Sequence, residues 1–251
     1  MASPPEAGRD TLVVRARRFA HDGPWRRLLR DGPRLTAWVL GVTAVFHLLY
    51  VLPPTHELAE KVLAEDSIVE DITAVALFAA AFLGLFLALR ARKLGRPIFV
   101  WGFYALVALV VFLIGMEEIS WGQWIFFWRS PEVFKEINSQ GETNLHNIGP
   151  LQGHSEWFRF AFVAAALGGV FCNRLPALRE IATPRSLTGP LLVIFAYVSV
   201  DMLDDVFPRV PWIITTFSSM SEWTEMLIGL AALAYVLLKR EDVTRLTIVQ
   251  P

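Results

Sequence analysis

The chain has 251 residues, 54% of them hydrophobic and 19% charged, with a net charge of −1 and a mean hydropathy of +0.45. A soluble domain averages about 45–50% apolar and about 25% charged residues, so this composition argues against a water-soluble domain and makes the bilayer the expected solvent. The single cysteine, Cys172, excludes an intrachain disulfide and a cysteine-rich metal site, whereas the near-neutral charge excludes no partner.

Residues 1–33 read as a basic tail in which arginines alternate with Leu, Val, Phe and Trp. It is expected either to lie on an anionic inner leaflet or to be a disordered tail. A spanning helix needs about 20 mostly apolar residues, and the first such run is 35–52. Its apolar core exceeds the about 7–15 residues of a signal peptide, and Tyr50-Val51-Leu52-Pro53-Pro54 offers no small-x-small cleavage site, so it reads as a retained helix. His47 lies near its far end, as a hydrogen-bonded packing residue or as part of a site. Beyond it, Glu57, Glu60, Glu65 and Asp66 read as solvated loop.

The second span, 72–89, follows Ser67-x-x-Glu70, a capping-box pattern, and then Asp71. Acids are favoured at a helix N-terminus in any case. The third span, 98–116, leads into Glu117 and Glu118 at its C-terminal end, where the helix dipole disfavours acids. Carboxylates placed there point to a cation, a proton or a basic group nearby. In the following segment Trp121, Trp124, Ile125 and Trp128 recur at three- and four-residue spacing, which predicts an aromatic face on a short interfacial helix or a continuation of span three. Gln123 stands among them. The stretch 138–147 is rich in amides and carries Glu142 and His146 at i and i+4, on one face if it is helical. Carboxylate, imidazole and amide oxygen are metal-ligand types, although a polar loop with ordinary turn chemistry fits the same residues.

The fourth span, 157–171, is the shortest. The fifth, 187–206, ends in Asp201, Asp204 and Asp205. The sixth, 219–238, opens with Ser219-x-x-Glu222, again a capping-box pattern. Capping accounts for Glu222 but not for Glu225, one turn deeper between Trp223 and Met226 and on the same face as Glu222. An ionisable residue inside a span is a functional-site hypothesis by default.

Of the 23 Lys and Arg, eighteen fall before span one, between spans two and three, between four and five, and after six; only Lys61, Arg129, Lys135, Arg159 and Arg209 fall elsewhere. Positive residues mark the cytoplasmic side, so both termini are predicted to be cytoplasmic, with 1–33 and 241–251 as tails, 34–240 as the membrane domain and 117–156 as its external loop. His47, Glu70, Asp71, Glu117, Glu118, Glu142, His146, Asp201, Glu222 and Glu225 then all lie towards the outer side. Buried like charges cannot all ionise uncompensated, so either some stay protonated or a metal or basic group sits among them.

The strings Glu117-Glu118-Ile119-Ser120-Trp121-Gly122-Gln123 and Asn144-Leu145-His146-Asn147 resemble signatures of a family of uncharacterised bacterial multi-pass membrane proteins. The resemblance covers the central part of the chain and implies a membrane protein with a polar outer site, but no activity. A looser similarity, of type only, is to intramembrane metal-dependent hydrolases related to alkaline ceramidases, whose histidine cluster this chain lacks. Asp201-x-x-Asp204-Asp205 faintly resembles one diphosphate-binding stretch of membrane prenyltransferases.

These readings predict an all-α polytopic membrane helix bundle of about six transmembrane helices in a bacterial inner membrane, with its acidic site facing the periplasm or exterior. The expected function is that of an enzyme acting on a lipid or lipid-linked substrate at the outer leaflet, by hydrolysis or transfer assisted by a divalent metal (Zn, Mn or Fe). Glu142, His146, Glu222 and Glu118 are the expected ligands and Glu118, Glu225 and Glu117 the expected catalytic carboxylates. Trp121, Gln123, Asn144, Asn147, Asp71, Glu70, Asp201 and His47 are expected around the substrate. The expected partners are membrane lipids, with no nucleic acid. The alternatives are a proton- or cation-coupled transporter using the same acids and a non-catalytic scaffold whose polar cluster ties helices together.

Overall fold

The computed structural model describes residues 24–64, 67–138, 141–145, 148, 155–207 and 212–246. The predicted site residues His146 and Asn147 lie outside them, as do residues 1–23, Glu65, Asp66 and the side chains of Trp124, Asp204 and Asp205. Helices are the regular secondary structure of the described residues, among which the one β-bridge is the isolated pair Asn138 and Ile148.

In chain order the helices are α1 (Pro24–Arg30), α2 (Gly32–Val51), α3 (His56–Leu63), α4 (Ile68–Lys93), α5 (Ile98–Glu118), α6 (Gln123–Phe126), α7 (Glu132–Ile137), α8 (Ser155–Phe171), α9 (Thr188–Val206), α10 (Trp212–Ser218) and α11 (Ser221–Leu246). Local chemistry sets several boundaries. Asp31 caps α2 by accepting from the Arg34 amide at 3.3 Å, and Pro53-Pro54 follows its end. Ser67 caps α4 through the Val69 amide at 3.2 Å, the N-cap that the first pattern expects. The second pattern does not form. α11 begins only at Ser221, and the Ser219 hydroxyl instead donates back to the Thr215 carbonyl at 3.2 Å.

Five helical stretches are long and apolar enough to cross a membrane: Gly32–Val51, α4 (Ile68–Lys93) within His56–Lys93, Ile98–Glu118, Arg185–Leu203 and Ser221–Val243. The sixth predicted span is the helix α8, but its 17 residues make it about 25 Å long, short of the ~30 Å hydrocarbon core. The outward faces are apolar as well: Val75, Phe82 and Ile98 are all more than 60% exposed. Helices that are hydrophobic all round belong in a membrane rather than in water.

α4 packs along α5 on one side and α11 on the other, while α9 joins α8, α2 and α11. Small residues allow the closest approaches: a Cβ at Gly84 would stand 3.2 Å from that of Ala108, and one at Gly115 would stand 3.3 Å from Leu77. Between α5 and α8 there is no comparable packing. The fully buried layer includes Leu77, Leu87, Tyr104, Leu191, Ile194 and Val236.

Charge divides the bundle into two ends. At the basic end Arg30 pairs with Glu241, Arg96 with Glu180 at 3.5 Å, and the Lys239 ammonium donates to the Arg179 carbonyl at 3.0 Å. The hydroxyls of Tyr104 and Tyr235 donate to the carbonyls of Glu180 and Ile181, tying the turn before α9 to the core. Glu241 and Glu180 are thus engaged by arginines. The opposite, acidic end holds the C-terminus of α5 and the N-termini of α4, α8 and α11.

Candidate functional site

α5 carries its apolar run to Gly115 and then ends in Glu117 and Glu118. The chain leaves through Ser120, Trp121 and Gly122, all left-handed, with φ of 45°, 55° and 80°. For a residue with a Cβ that conformation costs roughly 1–2 kcal/mol, and strain of this kind gathers at functional sites. Two bonds hold the turn against α5: the Trp121 indole N–H donates to Glu117 at 2.6 Å, and the Leu145 amide donates to the other Glu117 oxygen at 2.5 Å.

The loop beyond is a polar knot. The Ser120 hydroxyl donates to Glu142 at 2.5 Å, and the Asn144 side-chain amide donates to Glu142 at 3.0 Å and to Ser120 at 3.1 Å. Asn138 bridges to both oxygens of Asn144, and Gln123 accepts from Ser130 and from the Thr143 amide. Residues 141–145 are not helical. The expected helix does not form around Glu142, which pins the loop through Ser120 and Asn144. The aromatic residues also differ from a continuous helical face. α6 is a single turn, after which Phe127 is left-handed, leaving Ile125, Phe126 and Phe127 exposed beside Trp121 and Trp128. Such an apolar rim suits a membrane–water interface.

Beneath the knot lies a cavity of about 400 Å³ between α4, α5, α8 and α11. Glu117 and Glu118 enter it from α5, Arg159 from α8 and Glu225 from α11, against Thr73, Phe158 and Phe162. Carboxylate oxygens of Glu118, Glu222 and Glu225 lie within 4.8 Å of one another. Glu222 is in the first turn of α11, and Glu225 one turn further in. The Arg159 guanidinium pairs with Asp201 on α9 at 3.1 Å and with Glu225 at 3.5 Å, and reaches the Thr224 hydroxyl at 3.5 Å. Arg159 is 8% exposed. A cation this well buried is expensive unless paired, and here it links three helices.

Like charges this close repel. At an effective dielectric constant near 20, two carboxylates no more than 4.8 Å apart repel by at least about 3.5 kcal/mol while both are charged. The Arg159 guanidinium offsets part of that repulsion. A proton or a cation among the carboxylates would lower it further. Three carboxylates offer the hard oxygen ligands that suit Mg, Ca or Mn.

Other predicted residues fall as follows. Glu70, in the first turn of α4, lies within electrostatic reach of Glu118, as do Glu222, Glu225 and Arg159. Asp71 is exposed, beside exposed Ile68 and Ile72. His47 sits apart from the acids: its Nε2 bonds the Thr216 hydroxyl at 3.0 Å, its Nδ1 meets the Tyr197 hydroxyl at 3.3 Å, and its ring packs on Phe217. It is a hydrogen-bonded packing residue joining α2, α9 and α10. Arg159, Ser120, Asn138 and Ser130 were not singled out in the sequence. Arg159 had a signal, a cation inside the acidic end of a predicted span, but counted only towards orientation.

Compared with known proteins, the chain matches no family model, no curated protein and no solved structure.

Proposed function

We propose that the protein is an intramembrane enzyme that hydrolyses or transfers a lipid or lipid-linked substrate at the outer leaflet, using a divalent cation held by Glu118, Glu222 and Glu225. The observation that carries this reading is the meeting of those three carboxylates, from two helices, at the edge of a cavity that Glu118, Glu225 and the buried Arg159 line at one end of the bundle. Ligand pockets of about 300–1,000 Å³ with few, convergent polar groups are the usual setting for such chemistry. Of Zn, Mn and Fe, an all-carboxylate set favours Mn. In the hydrolytic form, a divalent cation held by Glu118, Glu222 and one oxygen of Glu225 would supply Lewis acidity to a water, and the other Glu225 oxygen would take that water's proton. The water oxygen bonds to the carbonyl or phosphoryl centre, the bond to the leaving oxygen breaks, and that oxygen receives the proton. Arg159 faces the negative charge that develops on the centre's other oxygen.

The reading includes a bacterial inner-membrane location, six crossings with α8 as the short one, and cytoplasmic termini. The support for its orientation is the bias of Lys and Arg, eighteen of 23 of which fall in the sequence segments expected to be cytoplasmic. A transporter needs polar groups on both sides of its site. The cavity continuing towards the basic end is instead lined by residues such as Phe103, Val107, Leu191 and Ala231, and no carboxylate lines it. That contrast favours the enzyme.

The test is lipid turnover by the purified protein in vesicles of bacterial polar lipid, followed by mass spectrometry with and without Mn²⁺. New lipid products that fall about 10²-fold or more in Glu225→Gln support the reading. Wild type that leaves every lipid intact but moves protons into dye-loaded vesicles replaces it with the transporter.

A further inference from the structure

Two cavities lie end to end in the bundle. The acidic one is described above; the second, of about 470 Å³, lies between α5, α8, α9 and α11, and Phe162 lines both. Together they form a groove where α5 and α8 fail to pack closely. Its width follows from small residues: Ala165 and Gly168 on α8 face Ala231 on α11, and a Cβ on Gly168 would meet nothing within 4 Å. The groove is open along its side. Leu106, Val110 and Leu113 on α5 and Phe158 on α8 line it and are also at least 38% exposed. In an apolar, membrane-crossing bundle that side faces hydrocarbon.

The groove is long enough for a lipid chain. From Arg159 to Cys172 along α8 is about 19–20 Å at 1.5 Å per residue, more than half of the ~30 Å hydrocarbon core. A chain lying in the groove therefore has its polar end at the carboxylates and its tail past mid-bilayer, towards the turn before α9 that carries Ile181 and Thr183. No charged side chain interrupts the second cavity, whose polar contributions are limited to groups such as the Thr183 hydroxyl and the Cys172 thiol. Polar binding groups at one end and an apolar, laterally open trough at the other are complementary to a lipid and to no small polar solute.

The geometry points to a specific occupant: one hydrocarbon chain of a membrane lipid slides in sideways between α5 and α8, rests on Ala231 and Gly168, and presents its headgroup end past Phe162 to Glu118, Glu225 and Arg159. This deepens the lipid-enzyme reading and rests on it for the fate of the headgroup, but not for occupancy of the groove.

The experiment uses the full chain in phosphatidylcholine vesicles doped with a phosphatidylcholine carrying a diazirine near the end of one acyl chain. After illumination, labelled peptides are mapped. The expected result is labelling of α11 around Ala231, the floor of the groove, together with the exposed faces of α4 around Phe82. In Gly168→Phe, which fills the trough from an open position, floor labelling falls at least fivefold while labelling around Phe82 is unchanged. Glu225→Gln keeps the floor labelled. An unlabelled floor in wild type, or one indifferent to Gly168→Phe, overturns the proposal. A change in oligomeric mass in Gly168→Phe without floor labelling overturns it too, by placing a second copy's helix in the groove. Floor labelling without lipid turnover leaves the chain slot standing and removes the enzyme; turnover without floor labelling does the reverse.

Discussion

Replacing Arg159 by glutamine removes the cation that Glu118 shares with Glu225 and Asp201, at a position 8% exposed. Breaking a buried pair from one side costs about 3–5 kcal/mol, because the remaining charges stay desolvated. Repulsion among the carboxylates adds to this, each pair within 4.8 Å contributing at least about 3.5 kcal/mol while both are charged. Taking up protons or a cation relieves part of that cost. Arg159→Gln is therefore expected to unfold in detergent with about 3 kcal/mol less stability than wild type, followed by tryptophan fluorescence against denaturant. Asp201→Asn in the same background should lose much less than it does alone, with a coupling energy of about 1–3 kcal/mol for groups 3.1 Å apart. Saturating Mn²⁺ should restore part of the loss, about 2.7 kcal/mol at a hundredfold excess over Kd. Wild-type stability in Arg159→Gln, or additive losses in the cycle, would refute the claim that one buried guanidinium holds the acids together.

Three smaller perturbations separate the parts of the site. Gly122→Ala places a Cβ at φ 80° and 3.0 Å from the Phe126 ring, and should lower stability by about 1–2 kcal/mol in the same denaturant assay. Glu142→Gln weakens the bonds from Ser120 and Asn144, worth about 1.5–3 kcal/mol for a charged acceptor, so limited proteolysis should cut residues 120–145 severalfold faster while Mn²⁺ binding is retained. His47→Leu loses its bonds to Thr216 and Tyr197, about 1 kcal/mol each, and should leave lipid turnover within twofold of wild type. Loss of turnover at preserved stability would bring His47 back into the site.

The bundle was legible in the sequence because apolar runs of about 20 residues need no tertiary information to be recognised. α8 is the exception: its apolar run stops at Phe171 and turns into the 3-10 segment Cys172–Arg174, so the predicted span became a helix too short to qualify on length. Glu225 stood out because capping left it unexplained, but its neighbours depend on α11 and α5 both packing against α4, a long-range fact with no local signature. The loop is less legible for a similar reason. Three successive left-handed residues turn the chain back over α5, and only Gly122 hints at it; Glu142 is then drawn to Ser120. Ser219 shows the limit of pattern alone, since its hydroxyl finds the Thr215 carbonyl before it reaches α11.

The central claim is that carboxylates from α5 and α11 form one cation site. Electron paramagnetic resonance of Mn²⁺ titrated into the purified protein tests it most directly, with Glu118→Gln, Glu222→Gln and Glu225→Gln beside wild type and the exposed Asp71→Asn as control. The account predicts one tightly bound Mn²⁺ per chain in wild type and Asp71→Asn, weakened at least tenfold in each of the other three. Binding that none of the three substitutions weakens, or no bound Mn²⁺ at all, would contradict it.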